Sequence, residues 1–182
     1  GKFPEHLTPR MGALGFYAPY LKEHGGAGLS YTAYGLIMQE LERADSGLRS
    51  LASVQGALAI QAIHSFATPE QHARWLPGLV SGDRVACFAL TEHGQGSDPG
   101  GMETRARRDG DHYIFNGEKM WISLASKADY AMVVARTNPD AKKPSAGLSS
   151  FIVDLHSEGV KTGDLHGKLG VRAGSTGWIS FT

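Results

Sequence analysis

The chain has 182 residues, 41% hydrophobic and 20% charged, which is enough to bury the core of one or two ordinary domains and excludes a disordered chain. Eighteen basic residues balance eighteen acidic ones, so no net field draws nucleic acid or an anionic membrane to it. The single cysteine, Cys87, excludes an internal disulfide, and neither a run of the roughly 18 apolar residues that span a bilayer nor a secretion signal is found, so a soluble chain is expected.

The first predicted element is a helix over residues 31–44, YTAYGLIMQELERA. There Ala33, Leu36, Ile37, Glu40, Leu41 and Ala44 recur at helical spacing, with Ser30 or Thr32 available as a cap. A second helical run, SGLRSLASVQGALAIQAIHSFA, carries alanine and leucine nearly all round, the pattern of a central helix covered on several sides. In TPEQHARWLPGL, Thr68 precedes Pro69 and Gln71 stands three residues after the threonine. This predicts a capping box and the start of a third helix.

After Ser81–Asp83 the period shortens. VACFAL, TRARRD, HYIFNG, KMWISLA, YAMVVAR, SSFIVD and GWISFT are short, β-branched or aromatic, and bounded by turn signals. The Asp109–Gly110 pair predicts a hairpin, and the polar, proline-bearing stretch 137–147 a surface loop. The fold class expected is α+β, with a helical domain over 1–82 followed by an antiparallel β-barrel domain over 83–182. Cys87, between Ala86 and Phe88 in an apolar strand, reads as a small buried hydrophobe.

The stretch CFALTEHGQGSD, Cys87 to Asp98, begins as a buried strand and runs into glycine, serine and aspartate. Gly94 and Gly96 let main-chain N–H groups come close to a partner, with Ser97 and Asp98 as polar handles beside them, so a ligand is expected here. It is no dinucleotide fingerprint: the glycines stand at 94, 96 and 100, and strand-like sequence follows where a helix is required. GDLHGK is too short for a phosphate-binding P-loop, no GxSxG elbow occurs, and the eight histidines lack ligand spacing or paired cysteines, which excludes hydrolase and zinc readings.

CFALTEHGQGSDPGGMETRA, NGEKMWIS and KADYAMVVART together resemble the middle domain of the acyl-CoA dehydrogenase flavoenzymes, and the likeness extends over nearly the whole chain. Upstream, AYGLIMQELERADSGLRS and SVQGAL resemble the glutaryl-CoA dehydrogenase branch. The resemblance implies an oxidoreductase acting on CH–CH donors, with FAD as cofactor, an acyl-CoA as substrate and an electron-transfer flavoprotein as electron acceptor. It also implies a homotetramer, in the bacterial cytoplasm or the mitochondrial matrix. The reaction implied is oxidative decarboxylation of glutaryl-CoA to crotonyl-CoA. The alternatives are desaturation of another short-chain or branched acyl-CoA and, from another class, a module that holds flavin or acyl-CoA without turnover.

Carried over residue by residue, the segment matching Phe88–Ser97 lines the flavin through Phe88, Leu90, Thr91, Gly96 and Ser97. Thr91 lends its hydroxyl and neighbouring amides to the pyrimidine edge, and Ser97 lies where FAD and the acyl-CoA meet. Trp121, Ile122 and Ser123 match the family's Trp-Ile-Thr, with the indole on the flavin ring and serine keeping the hydroxyl while losing the methyl. Arg49 and Ser50 match the pair that receives the distal carboxylate of a glutaryl chain, a task suited to an arginine fork, with Glu42 as acidic neighbour. By residue type alone, Ser97 reads as a turn residue, Trp121 as core filler and Arg49 as a solvated helix residue. The sequence departs from the family at His93, where proline is usual, and at Gly174 and Gly177. The glutamate that serves as base belongs to the family's third domain, a helical bundle that this sequence does not include, so no residue here is assigned as catalytic.

Overall fold

A computed structural model of the protein describes residues 2–182. Helices come first: α1 (Thr8–Ala13), α2 (Tyr31–Ala44), α3 (Ser46–Ser53), a π-helical stretch Val54–Ile60, α4 (Gln61–Phe66) and α5 (Pro69–Ser81). Seven strands follow: β1 (Ala86–Ala89), β2 (Arg105–Asp109), β3 (His112–Ser123), β4 (Tyr130–Arg136), β5 (Leu148–Asp154), β6 (Val160–Asp164) and β7 (Thr176–Phe181).

The helix signals act as the side chains dictate. Ser30 accepts from the N–H of Ala33 and starts α2 at Tyr31. Thr68 accepts from the Gln71 N–H at 3.3 Å while the Gln71 side chain accepts from the Thr68 N–H at 2.9 Å, so the capping box of α5 is complete. The long central run is one helical course in which α3 passes through the π turn into α4. α2 has the expected limits but none of its residues is buried, and Leu36 is 58% exposed. α1 was not anticipated.

The sheet corrects the expected antiparallel barrel. It is a curled mixed sheet, a half-barrel, in the order β1-β4-β2-β3-β7-β6 with β5 also on β4. β1 runs parallel to β4, Ala86 opposite Tyr130, and β2 meets β4 in the parallel sense at Arg105 and Arg136. The remaining pairs are antiparallel. Parallel neighbours need a long crossover, and residues 90–129 supply it, carrying β2 and β3 on the way. Two expected strands, HYIFNG and KMWISLA, are one, β3, which ends at Ser123 short of Leu124 and Ala125, and β6 had not been singled out. The hairpin between β2 and β3 turns through Gly110 at φ +63°.

One apolar core runs through both halves, from Leu51, Ile60, Leu76 and Leu79 on the helices to Ala86, Cys87, Val133 and Ile179 on the strands. Burial pushes the Cys87 thiol up to about 12, so it packs as a protonated hydrophobe. Gln55, fully buried in the π turn, is a polar link between the halves. Its Nε2 donates to the carbonyls of Leu79 and Arg84, and its Oε1 accepts from the N–H of Ala86 at the start of β1, each at 2.8 Å. Every hydrogen-bonding atom of the side chain except one lone pair is thus used, which is what lets a primary amide sit in an apolar core.

Candidate functional site

The loop from Leu90 to Thr104 leaves β1, projects its glycines outward and returns to β2, and a buried ion pair fastens both of its ends. Lys119 on β3, with no exposed side-chain surface, donates from Nζ to the Leu90 carbonyl at 2.9 Å and to Glu92 Oε1 at 2.9 Å. The same nitrogen lies 3.6 Å from Met102 Sδ. The Glu92 carboxylate accepts from the N–H of Glu103 at 2.6 Å and of Thr104 at 3.0 Å. Burial pushes the Glu92 carboxyl up, but the bonds from Lys119, Thr104 and Glu103 outweigh it and hold the group below the usual carboxylate range. Burial draws Lys119 below its ordinary value, with Glu92 opposing. From β4, Arg136 donates to the carbonyls of Gly100 and Met102 and completes the anchorage.

Between these anchors the tip is open. The N–H and C=O groups of Glu92 and Gln95 bond reciprocally across His93 and Gly94, and Asp98 caps a short turn by accepting from the Gly100 N–H. Gly94, Gly96 and Ser97 are exposed. Neither Gly94 nor Gly96 has a positive φ, and a Cβ on either would meet no atom within 4 Å. The chain's own packing does not require glycine there.

On β3 the register breaks at Trp121. Met120 stands opposite Trp178 and Ile122 opposite Gly177, leaving Trp121 as the extra residue of a bulge, at φ +63°. Uninterrupted alternation would turn Trp121 to the buried face that Lys119 occupies. The bulge keeps Ile122 buried and puts the indole outside, 61% exposed, at a strain of roughly 1–2 kcal/mol. Trp121 is therefore not core filler. The preceding Met120 N–H donates to the Thr91 carbonyl at 2.9 Å, which brings Thr91 to the bulge. Ser123, half-buried, ends the strand opposite Thr176.

Phe88 on β1, Leu90 and Thr91 after it, and Trp121, Ile122 and Ser123 on β3 thus gather on adjoining backbone, while Gly96 and Ser97 lie on the loop tip. Ile122 itself is 2% exposed and faces the core. Thr91, Ser97 and Ser123 offer hydroxyls and Trp121 a bare aromatic face. The larger cavities lie elsewhere: about 820 Å³ on the Glu92–Gln95 side of the loop and about 700 Å³ between the N-terminal segment and residues 164–176. Trp121 lines neither.

Glu42, Arg49 and Ser50 form a second group on α2 and α3. Arg49 Nε donates to Glu42 Oε2 at 2.6 Å, and its Nη1 lies 3.4 Å from Ser53 Oγ. Both ionic side chains are well exposed, 37% and 44%. Hydrogen bonds from Ser46 and then Arg49 hold Glu42 below the usual carboxylate range. Among the described residues no hydrogen bond joins Arg49 or Ser50 to the Thr91–Trp121 group; the connection runs through α3, the π turn and Gln55.

Sequence reasoning passed over Lys119, Glu92 and Tyr34. The Tyr34 hydroxyl is buried without a hydrogen-bond partner among the described residues. Burial pushes its pKa up, and the charge of Arg49 opposes that rise. Gly177 has a packing reason of its own, whereas a Cβ on Gly174 would meet Val171 Cγ1 at 3.2 Å and Gly47 Cα only at 3.5 Å. A Cβ on Gly47 would strike the backbone of Ala173 and Gly174, so the first turn of α3 rests directly on the loop before β7, and a Cβ on Gly177 would strike the Gly163 carbonyl.

Residues 1–83 match the acyl-CoA dehydrogenase N-terminal domain and residues 87–182 the acyl-CoA dehydrogenase middle domain. The chain is 39% identical over 180 residues to the mitochondrial short-chain specific acyl-CoA dehydrogenase of Homo sapiens, an alignment covering 98% of this chain and 43% of the relative. It is 37% identical over 172 residues to the caffeyl-CoA reductase-Etf complex subunit CarC of Acetobacterium woodii, covering 94% of this chain and 45% of the relative. A glutaryl-CoA dehydrogenase of Mycobacterium smegmatis, solved in complex with FADH2, superposes with a TM-score of 0.93 at 41% identity, over 100% of this chain and 45% of that one. The chain spans less than half the length of these relatives. With two family domains matched end to end and the curled sheet in place, the chain belongs to the acyl-CoA dehydrogenase family.

Proposed function

We propose that this chain is the N-terminal and middle part of a FAD-dependent acyl-CoA dehydrogenase, with residues 1–82 and 83–182 as its two domains, and that the enzyme converts glutaryl-CoA to crotonyl-CoA. The observation that carries the flavin reading is the indole of Trp121, turned out of the sheet by a strained bulge next to Thr91. The surrounding groups fit such a ligand: an aromatic face for a planar ring and hydroxyls at Thr91 and Ser123 for a polar ring edge. The glycine-rich tip leaves main-chain amides open near Ser97 for a phosphate or pantetheine group. Bound there, FAD supplies the oxidant that takes a hydride from the acyl chain. The chain's own work is to pack Trp121 on the ring, hold the polar edge through Thr91 and Ser123, and exclude water. The proton-abstracting base is assigned to no residue of this chain.

Two measurements test this reading. Adding FAD to the gene product that carries this chain quenches tryptophan fluorescence, and Trp121→Leu removes most of that quenching while Trp75 and Trp178 remain; full quenching in the variant sinks the assignment. For the substrate, the exposed Arg49 guanidinium keeps Nη2 for a distal carboxylate while Glu42 holds Nε. Arg49→Ala then lowers the preference for glutaryl-CoA over butyryl-CoA, in kcat/KM, by about 100-fold or more. An unchanged preference rejects the carboxylate clamp and favours a second reading, a short-chain acyl-CoA substrate. That reading is supported by the likeness to the human short-chain enzyme and by the neutralisation of Arg49 within the chain. Transfer of electrons to an electron-transfer flavoprotein, suggested by the Etf-complex relative, and a homotetrameric assembly belong to the same proposal.

A further inference from the structure

We infer that the buried Lys119–Glu92 pair is a positioning element for the flavin-facing edge, setting the place of Thr91 relative to Trp121, an inference that rests on the flavin reading above. The geometry is that of a clasp. At the entry of the loop, the ammonium of Lys119 holds the Leu90 carbonyl and the Glu92 carboxylate. At the exit, that carboxylate holds the N–H groups of Glu103 and Thr104, and Met102 Sδ lies beside the ammonium. Both ends of the loop therefore close on one ion pair. Lys119 is followed on β3 by Met120, whose N–H takes the Thr91 carbonyl, and then by Trp121 at the bulge. The carbonyls of Leu90 and Thr91 are thus fixed by adjacent residues of the strand that presents the indole.

Stability alone is a poor reason for this arrangement. Removing two charges from water is costly, and a well-packed apolar pair of similar volume is often as stable or more so. An apolar pair has no direction, however, and would leave the carbonyl of Leu90 and the amides of Glu103 and Thr104 without partners. The ion pair orients these three backbone groups at once, with Met102 Sδ beside them. Bonds to charged groups hold geometry more tightly than neutral ones, which suits an edge that must meet a planar ligand within fractions of an ångström.

The test uses the flavoprotein isolated from the gene that carries this chain. The double variant Lys119→Met/Glu92→Gln removes both buried charges and keeps a side-chain oxygen at 92 for the Thr104 N–H. The expected result is a chain that still unfolds in one cooperative thermal transition, FAD binding weakened about 10- to 100-fold, and a changed visible absorption envelope of the bound flavin. A folded double variant with the parent's FAD affinity and spectrum overturns the inference. Where the double variant does not fold, hydrogen exchange of the unaltered protein decides. Stripped of flavin, it should keep the amides of Glu103, Thr104 and Met120 as protected as in the holoprotein; free exchange there shows that the ligand, not the ion pair, forms the edge. Failure of the unaltered protein to take up FAD at all rejects the flavin reading, and is thereby distinct from either result on the pair.

Discussion

Two ion pairs in this molecule use the same chemistry to different ends. Arg49 and Glu42 approach to 2.6 Å, closer than the 2.9 Å between Lys119 and Glu92, yet the first pair lies among exposed side chains and the second in the core. Distance does not rank them; surroundings do. In water the Coulomb gain of a close pair nearly cancels against hydration and side-chain entropy, leaving about 0–1 kcal/mol. In the core, each partner is costly to leave alone, so the pair acts as one unit. The helical site thus keeps its arginine loosely held at the surface, while the strand site uses its charges to hold backbone.

Removing one partner from each pair is the sharpest way to break this comparison. Lys119→Met should cost about 3–5 kcal/mol in urea unfolding, because it strands the Glu92 carboxylate in the core. A loss below about 1 kcal/mol would mean that the two pairs are alike. Acid bears on both pairs, since Glu42 is held low as well, but Glu92 is the buried partner and its own variant reads that pair directly. The Glu92 pKa is lowered on folding, so the stability its ionised form contributes is fully present above the ordinary carboxylate range of about 4.3 and is lost as pH falls through the lowered native value. Unfolding free energies measured downward from neutral pH should therefore fall through that window, and Glu92→Gln should flatten the profile. Salt gives the smallest effect. Ions at about 1 M, where the screening length is near 3 Å, should erase what stability Arg49→Ala removes at low salt, less than about 1 kcal/mol, and leave the cost of Lys119→Met in place.

Much of the helical half was legible because its signals are local. The reciprocal bonds of Thr68 and Gln71 need only residues three apart, and α2 begins and ends where its cap and pattern say. What α2 covers was not legible: its apolar positions imply a buried face, yet Leu36 is mostly exposed. In the strand half, strands could be found but not their partners. Alternation of side chains is the same in parallel and antiparallel sheets, so the β1–β4 pairing was hidden in a crossover of some forty residues. VKTGD, polar and glycine-bearing, carried too little pattern to announce β6.

The candidate site divides in the same way. The glycine-rich tip invited a ligand reading from residue types alone, and the structure shows that tip exposed. Trp121 by type reads as core filler; only the bulge, one residue too many against β7, turns it outward, and no local pattern marks that. Lys119 and Glu92 look like surface residues in the sequence, since lysine is almost never fully buried unless paired and the partner stands 27 positions away.

The bare contact between Gly47 and the backbone at Gly174 has a consequence for what α3 tolerates. With no side chain between them, the helix that carries Arg49 is seated against the loop before β7 at the closest spacing a polypeptide allows. A methyl group at Gly47 would act as a shim, forcing the helix that carries Arg49 away from the loop. The seating of α3 in this molecule is therefore sensitive to a single added carbon at Gly47, because backbone rather than a yielding side chain lies against it.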